Sequence, residues 1–465
     1  MTAAPSRAGI IIAFVLLSAG LLALYWFPQP KLLAGDEGSF YQPQALRILA
    51  GGDWFDTRMI WPPLQSLFLA GIYALTGPSI LVVQLIQLAL LTCSGLLLQR
   101  IWLALTGNTS AAIWAGALLA INPLTIAFAT YLWPEITHLF LSLLAVFLLM
   151  RAREPRRRLS SAIVLAALAG IALGLCLLAK SLLTAFWPLL LLPLIRRSDW
   201  RASTLRVLAF LLAMLLTTAP ALYRGWQETG RPQIADSSWF NLWVGLADEH
   251  RSDLVYDKTG PRLAAYLDSA PNHAGRVAFA QTQAAMIIDR QGWLDTIATQ
   301  LGKQYFRLFD ARNFLVAQLH GPNCRGYISR YRVDSALLNR LIDYAARFWH
   351  LALLILFAFG LAAWRHWRQP WLWLTGAYVG YQLALFLGLH VKSRFLLPLL
   401  PVICVFAGHF LAQWRMLRTN ASLLSPTQRA VGTALAALLA FLALAGPALD
   451  NACTQRSDNP TTSPA

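Results

Sequence analysis

The fold class this sequence predicts is an all-α polytopic membrane protein of about 11 transmembrane helices, and three observations predict it. Of 465 residues, 57% are hydrophobic and only 13% are charged, about half the charged share of a soluble domain. Apolar runs recur along the whole chain, each near the roughly 20 residues needed to cross a hydrocarbon layer about 30 Å thick. The Lys and Arg residues fall between these runs and seldom inside them.

The predicted spans are residues 10 to 27, 79 to 99, 112 to 130, 135 to 150, 160 to 178, 181 to 195, 204 to 222, 348 to 363, 371 to 389, 395 to 413 and 428 to 447. The apolar stretch Leu64 to Leu75 is too short to cross alone. Its leading Pro62-Pro63 suits a short helix lying at the interface, so the first loop is expected to carry interfacial helices. The first run follows a single basic residue, Arg7, and ends at Pro28 to Pro30 without a small-residue cleavage site. It reads as a retained span and not a removed signal peptide.

The net charge of +17 would suit a nucleic-acid binder, but its distribution argues against one. With the N-terminus in the cytoplasm, the inside segments hold Arg100, the cluster Arg151 to Arg158, the cluster Arg196 to Arg206, Arg365 with Arg368, and Arg415 with Arg418. That is the positive-inside pattern. Two polar segments then lie outside: the first loop, 28 to 78, and a long connection from Tyr223 to about Arg347. Within the latter, Ala284 to Phe309 has the spacing of an amphipathic helix. The expected organisation is an N-terminal transmembrane catalytic module over 1–222, an extracytoplasmic loop domain over 223–347, C-terminal transmembrane helices over 348–447 and a polar tail over 448–465. Of five cysteines, Cys93, Cys176 and Cys404 lie in spans, whereas Cys324 and Cys453 fall outside and could pair. No CxxC spacing is present.

Polar residues that break this pattern are the candidates for chemistry. Asp36 and Glu37 sit side by side just after the first span, in an otherwise apolar context. Helix capping would account for at least one of them. Glu135 follows Pro134 at the hinge between the third and fourth spans, where a favourable meeting with the helix dipole is the structural alternative. Lys180 lies between two spans on the side poor in positive charge, and snorkelling to the interface is the alternative to phosphate binding. His390, Lys392 and Arg394 crowd the connection between the ninth and tenth spans. A charge at the bilayer centre costs roughly 2.5 to 3.5 kcal/mol on insertion scales, so these groups must face water, one another or a ligand. A carboxylate can deprotonate an acceptor hydroxyl while Lys and Arg hold a departing phosphate.

The stretch from Gly35-Asp36-Glu37 through Ala45, Leu49 and Gly52-Asp53 to Trp61-Pro62-Pro63-Leu64 resembles the first extracytoplasmic loop of GT-C glycosyltransferases. It is most similar to the dolichyl-phosphate-mannose protein mannosyltransferases and the aminoarabinose transferases that modify lipid A. Arg394-Phe395-x-x-Pro398-x-x-Pro401 resembles their later RYxxPxxP-like element, and with His390 it is similar to the HKExRF motif of the GPI mannosyltransferases. Asn241 to Leu246, after Ser237-Ser238, also looks like a family element. The resemblance implies Asp36 as the acceptor-activating base, Glu37 as its support, and Lys180 and Arg394 as holders of the carrier phosphate. Two departures matter. Lys392 replaces an acid of the HKExRF pattern, and Trp61 replaces the lysine often found before the paired prolines, which shifts carrier contacts toward Arg58.

The expected activity is transfer of a sugar, hexose or pentose, from a polyprenyl-phosphate carrier to a lipid, glycan or protein acceptor, with inversion. The setting is a cell membrane such as the bacterial inner membrane, with the active site facing outside. Membrane lipids are partners and nucleic acid is not. No cofactor is required by any motif, although a divalent cation could bridge Asp36 or Glu135 to a phosphate. A transporter or flippase of an envelope precursor is the rival class, because intramembrane charges also line substrate pathways. No repeated halves support it. A structural or assembly protein would leave the paired acids unexplained.

Overall fold

The computed structural model describes residues 36–154, 157–195, 199–251, 259–311, 336–419 and 424–449. The expected first span and the Cys324–Cys453 pairing lie outside the described residues. Among the described residues every regular element is helical. The chain divides into two compact units, with the boundary between Asp236 and Ser237.

The first unit opens with a π-helical turn, Glu37–Tyr41, that continues into α1 (Gln42–Leu49). A loop ending at Pro62-Pro63 leads to α2 (Leu64–Thr76), which at 13 residues is too short to cross a bilayer. Then come α3 (Ile80–Thr106), α4 (Thr109–Ala120), α5 (Pro123–Ala129), α6 (Glu135–Ala152), α7 (Leu159–Ala179) and α8 (Trp200–Thr229). The helix starts follow capping chemistry. Ser79, Asn108, Asn122 and Asp199 each accept a hydrogen bond from a backbone N–H in the first turn that follows.

The second unit contains α9 (Ser238–Ala247), α10 (Thr259–Asp268), α11 (His273–Gln291), α12 (Trp293–Phe309), α13 (Ala336–Ala363), α14 (Pro370–Gly388), α15 (Leu400–Thr419) and α16 (Pro426–Leu449). A 3-10 segment, Ser393–Leu399, feeds directly into α15.

Seven helical stretches among the described residues are long and apolar enough to cross a membrane, and an eighth arises if a bent pair is one span. They are α3, α6, α7, α8, Tyr344–Ala363 of α13, Ser393–Trp414 and Pro426–Gly446 of α16. The protein is therefore an all-helical integral membrane protein, as the sequence predicts, while the eleven regular spans are revised. The run 112 to 130 is not one helix: α4 and α5 meet at a 49° bend. Asn122 caps the new helix through Leu124 N, and Pro123 has no N–H to continue the old one. The run 181 to 195 forms two 3-10 segments, Ser181–Leu183 and Trp187–Leu194, because Pro188 and Pro193 remove donors from an α-helical ladder. A 3-10 path rises about 2 Å per residue against 1.5 Å for an α-helix, so the short stretch reaches further than an α-helix would. The run 371 to 389 does form α14, but its tryptophans, tyrosines and Gln382 leave it outside the apolar set. The single amphipathic helix expected over 284 to 309 is two helices broken at Gly292, whose φ is +79°.

Within the first unit α7 lies along α8, and the approach is close because Gly170 has no side chain. A Cβ there would stand 2.2 Å from the Phe210 carbonyl oxygen. Gly170→Val is expected to lower stability by about 1–3 kcal/mol through overpacking, read as a fall in the thermal midpoint of detergent-purified protein. Gly376→Ala, where nothing lies within 4 Å, is the control and should hold or slightly raise the midpoint. Equal midpoints for both variants would contradict the packing described.

Candidate active site

The hinge between α5 and α6 leaves helical geometry over Thr130 to Pro134 while remaining buried. Away from water, each free carbonyl or N–H there needs a protein partner. Four side chains with no solvent exposure supply them. From α3, Gln84 Nε2 donates to Thr130 O at 2.8 Å, and Gln87 Nε2 donates to Tyr131 O at 2.5 Å. From α2, Gln65 Nε2 donates to Leu132 O at 3.0 Å, and its Oε1 accepts from Thr137 at 3.2 Å. From the π turn, Glu37 Oε1 accepts the Leu132 N–H at 2.6 Å. Glu37 therefore fastens the first loop to the hinge.

Immediately past the hinge, Glu135 begins α6 and is 3% exposed. Its Oε1 lies 2.9 Å from Lys180 Nζ. Lys180 occupies the residue after α7 in extended backbone, φ −152° and ψ 126°. The pair sits where the start of α6 meets the end of the antiparallel α7. Each charge suits its own helix terminus, acid at the N-terminal end and base at the C-terminal end. His138, one turn further along α6, is buried as well.

Asp36 is only half-buried, and its side chain makes no capping hydrogen bond to the π turn it precedes. Capping does not account for it. The same turn carries Phe40, which stacks on Trp61 with ring centroids 4.2 Å apart. The Arg58 guanidinium lies 5.1 Å from the Phe40 ring centre and 4.9 Å from that of Trp61. Asp56 holds Arg58 there, 2.9 Å from Nε, and also accepts the Ile60 and Trp61 amides at 3.1 Å. The loop is rigid enough to fix Met59 at a φ of +63° with its side chain fully buried. Thus the first unit brings Arg58 to the Asp36 turn through Phe40, joins Glu135 to Lys180, and ties Glu37 to the backbone three residues before Glu135.

His390, Lys392 and Arg394 belong to the second unit. Lys392 and Arg394 are part-exposed, and the Arg394 guanidinium carbon lies 5.7 Å from the Phe395 ring centre. His390 is buried among groups the sequence did not single out. Its Nδ1 lies 3.2 Å from an Arg307 nitrogen and 3.4 Å from Asp248 Oδ2, and its Nε2 lies 3.2 Å from Thr259 Oγ1. Arg307 and Asp248 form an ion pair at 2.5 Å. Burial raises the Asp248 carboxyl, but the His390 hydrogen bond and the Arg307 charge outweigh burial and hold it below the usual range. Burial lowers the neighbouring Lys303 to about 8; its ammonium meets the Gly245 carbonyl at 2.9 Å and also that of Asp248.

Sequence reasoning missed Gln65, Gln84, Gln87, Asp248, Lys303 and Arg307. A signal existed for some of them. Gln84 and Gln87 are three apart inside an apolar run, and Lys303 and Arg307 are four apart on one helix, so each pair shares a face. Among the described residues, no three His, Cys, Asp or Glu side chains gather in a way that could hold a metal.

No protein-family model and no curated protein matches the sequence. The chain is similar to the crystal structure of ArnT from Cupriavidus metallidurans in the apo state, with 14% identity and a TM-score of 0.42 over 87% of this chain and 77% of that one. Similarity to the same enzyme bound to undecaprenyl phosphate gives 14% identity and a TM-score of 0.40, covering 89% and 79% of the two chains. The Archaeoglobus fulgidus oligosaccharyltransferase in complex with Zn and sulfate is similar at 16% identity and a TM-score of 0.48. There 96% of this chain is covered, yet it spans only 53% of the length of the other.

Glu37→Ala leaves the Leu132 N–H without its acceptor and is expected to destabilise the protein by about 1–3 kcal/mol, measured by chemical or thermal unfolding in detergent. Glu37→Gln keeps an acceptor oxygen and should lose less than half as much. If the two variants are equally unstable, the negative charge and not the hydrogen bond is what Glu37 contributes.

Proposed function

We propose that this chain is a membrane glycosyltransferase of GT-C type that moves a sugar from a polyprenyl-phosphate carrier to an acceptor on the extracytoplasmic side. The observation that carries the reading is the division of labour in the adjacent acids. Glu37 is locked onto the hinge backbone, while Asp36 stays half-exposed and takes no part in capping its turn. A part-exposed carboxylate on a braced turn is what a general base requires. The sequence resemblance of this loop to GT-C enzymes supports the same assignment.

In the transfer, the acceptor oxygen attacks C1 of the sugar and Asp36 takes its proton. The bond from C1 to the phosphate oxygen breaks, and the phosphate keeps the electron pair. Lys180 and the aromatic-backed Arg58 are the cations of the first unit assigned to that leaving group; in the second unit the sequence resemblance gives the same role to Arg394, with Lys392 beside it. Glu135 holds Lys180 in place at 2.9 Å until a phosphate arrives. His390 contributes through the segment it belongs to, without touching the substrate. Sidedness follows from charge: Glu135 and Lys180 lie at the end of α6 and α7 opposite the cluster Arg151, Arg153, Arg157 and Arg158, which the positive-inside rule assigns to the cytoplasm. One observation favours a second reading. The 49° break between α4 and α5 is of the kind found in transporters, where discontinuous helices meet a substrate.

Transfer of radiolabelled sugar from a polyprenyl-phosphate donor into membrane extracts separates these readings. Asp36→Asn is expected to lower transfer by about 10²–10⁴-fold at matched expression, whereas Lys180→Ala should raise the KM for the donor. Transport of substrate across vesicles with no transfer by the unaltered protein would favour the second reading. Full transfer by Asp36→Asn would remove Asp36 as the base.

A further inference from the structure

We infer that Asp248, Lys303 and Arg307 are positioning residues that hold the basic segment Lys392–Arg394 in register for an anionic phosphate. The inference rests on reading that segment as part of the carrier-phosphate site.

The segment between α14 and the 3-10 turn at Ser393 is extended: Leu389 has φ −98° and ψ 163°, and Lys392 has φ −122° and ψ 157°. An extended, buried connection has no helical partners of its own. Its partners come from α9 and α12. His390 N donates to Asn241 O at 3.1 Å, Val391 N to Gln304 Oε1 at 3.3 Å, and an Arg307 nitrogen to Val391 O at 3.4 Å. The close fit leaves no room for a side chain at Gly245, where a Cβ would stand 2.7 Å from His390 N and from the Leu389 carbonyl carbon.

What sets the position of this clamp is the end of α9. Its last carbonyls have no helical donors, and three side chains of α12 reach one of them: Gln300, Lys303 and Gln304 all donate to Gly245 O, at 3.2, 2.9 and 3.2 Å. Lys303 also meets the Asp248 carbonyl, so Asp248 is fixed by its own backbone. Its carboxylate then orients Arg307 at 2.5 Å and faces His390 at 3.4 Å. Every link runs toward residues 390 and 391, and the part-exposed Lys392 and Arg394 follow one and three positions beyond Val391.

A brace serving only stability would not need charge. Buried ion pairs can be replaced by apolar residues of similar volume with little or no loss of stability. Here Lys303 and Arg307 are 3% and 4% exposed, and a single guanidinium nitrogen, Arg307 Nη1, meets Asp248, His390 and the Val391 carbonyl together. Small displacements of phosphate-binding cations cost affinity steeply, so the network acts through the geometry of Arg394.

A double-mutant cycle tests this. Full-length protein in phosphatidylcholine nanodiscs is titrated with undecaprenyl phosphate as the probe, and dissociation constants are compared for the unaltered protein, Asp248→Asn, Arg394→Gln and the double variant. Each single variant is expected to bind about tenfold more weakly, and the double variant no more weakly than Arg394→Gln alone. Asp248→Glu should restore most of the loss, and Arg307→Lys, which keeps the charge but whose side chain ends short of the Nη1 position, should behave as Asp248→Asn does. Thermal midpoints are followed in parallel, and where Asp248→Asn fails to fold, Arg307→Lys takes its place in the cycle. Independent losses that multiply in the double variant would overturn the positioning role and leave the phosphate reading intact. An Arg394→Gln protein that binds the probe normally would overturn the phosphate reading itself, and this inference with it.

Discussion

Backbone that leaves a helix inside an apolar surrounding must find hydrogen bonds from side chains, and this constraint organises both units. A free carbonyl or amide buried there costs about as much as a lost hydrogen bond to a fully desolvated group. In the first unit the price falls on the turn Thr130 to Leu132, which Gln84, Gln87, Gln65 and Glu37 satisfy from three separate elements. In the second it falls on the end of α9 and on His390–Val391, which Gln300, Lys303, Gln304 and Arg307 of α12 satisfy together with the Asn241 carbonyl of α9. The reactive candidates are direct chain neighbours of these braced turns: Asp36 precedes Glu37, Glu135 follows the hinge, and Lys392 follows Val391. Breaking a helix creates polar backbone that must be tied down, and tying it down produces a rigid mount for charge.

Charge placement follows from the same geometry. Glu135 opens α6 and Lys180 closes α7, so two antiparallel helices present the dipole ends that favour an acid and a base at one spot. Each residue would be costly on its own in such a setting, with Glu135 3% exposed; together they form an ion pair at 2.9 Å. Arg58 uses a different device. Asp56 and two stacked rings hold its guanidinium in place, a planar arrangement that a lysine could not reproduce.

The sequence shows the membrane class clearly, because composition and the spacing of apolar runs report directly on the solvent each segment meets. α3, α6, α7, α8 and α16 appear where the runs place them. The broken pair α4 and α5 and the 3-10 stretch after Lys180 were not legible as such. Hydropathy averages over a window and is blind to what Pro123, Pro188 and Pro193 do to a hydrogen-bond ladder. Of the site, the residues visible beforehand were those whose charge is conspicuous in an apolar context, such as Asp36, Glu135 and Lys180. The pairing of Glu135 with Lys180 was not visible, since it depends on an antiparallel return 45 residues away. Nor was the role of Asp248 or Arg307, because both lie in a segment polar enough for charge to look ordinary.

The adjacent acids Asp36 and Glu37 show how one turn can give two carboxylates different work. Consecutive residues on a helical turn point in different directions, so neighbouring side chains can meet different surroundings. Glu37 takes the inward direction, is fully buried, and has its carboxylate bound to the Leu132 amide; a proton taken up there would weaken the bond that holds the hinge. Asp36 takes the other direction and remains half-exposed. A base must be reachable by the acceptor, and of the two carboxylates Asp36 is the more exposed. The inward acid is in turn what keeps the outward one in place. The pair is thus one anchored carboxylate, Glu37, and one part-exposed carboxylate, Asp36.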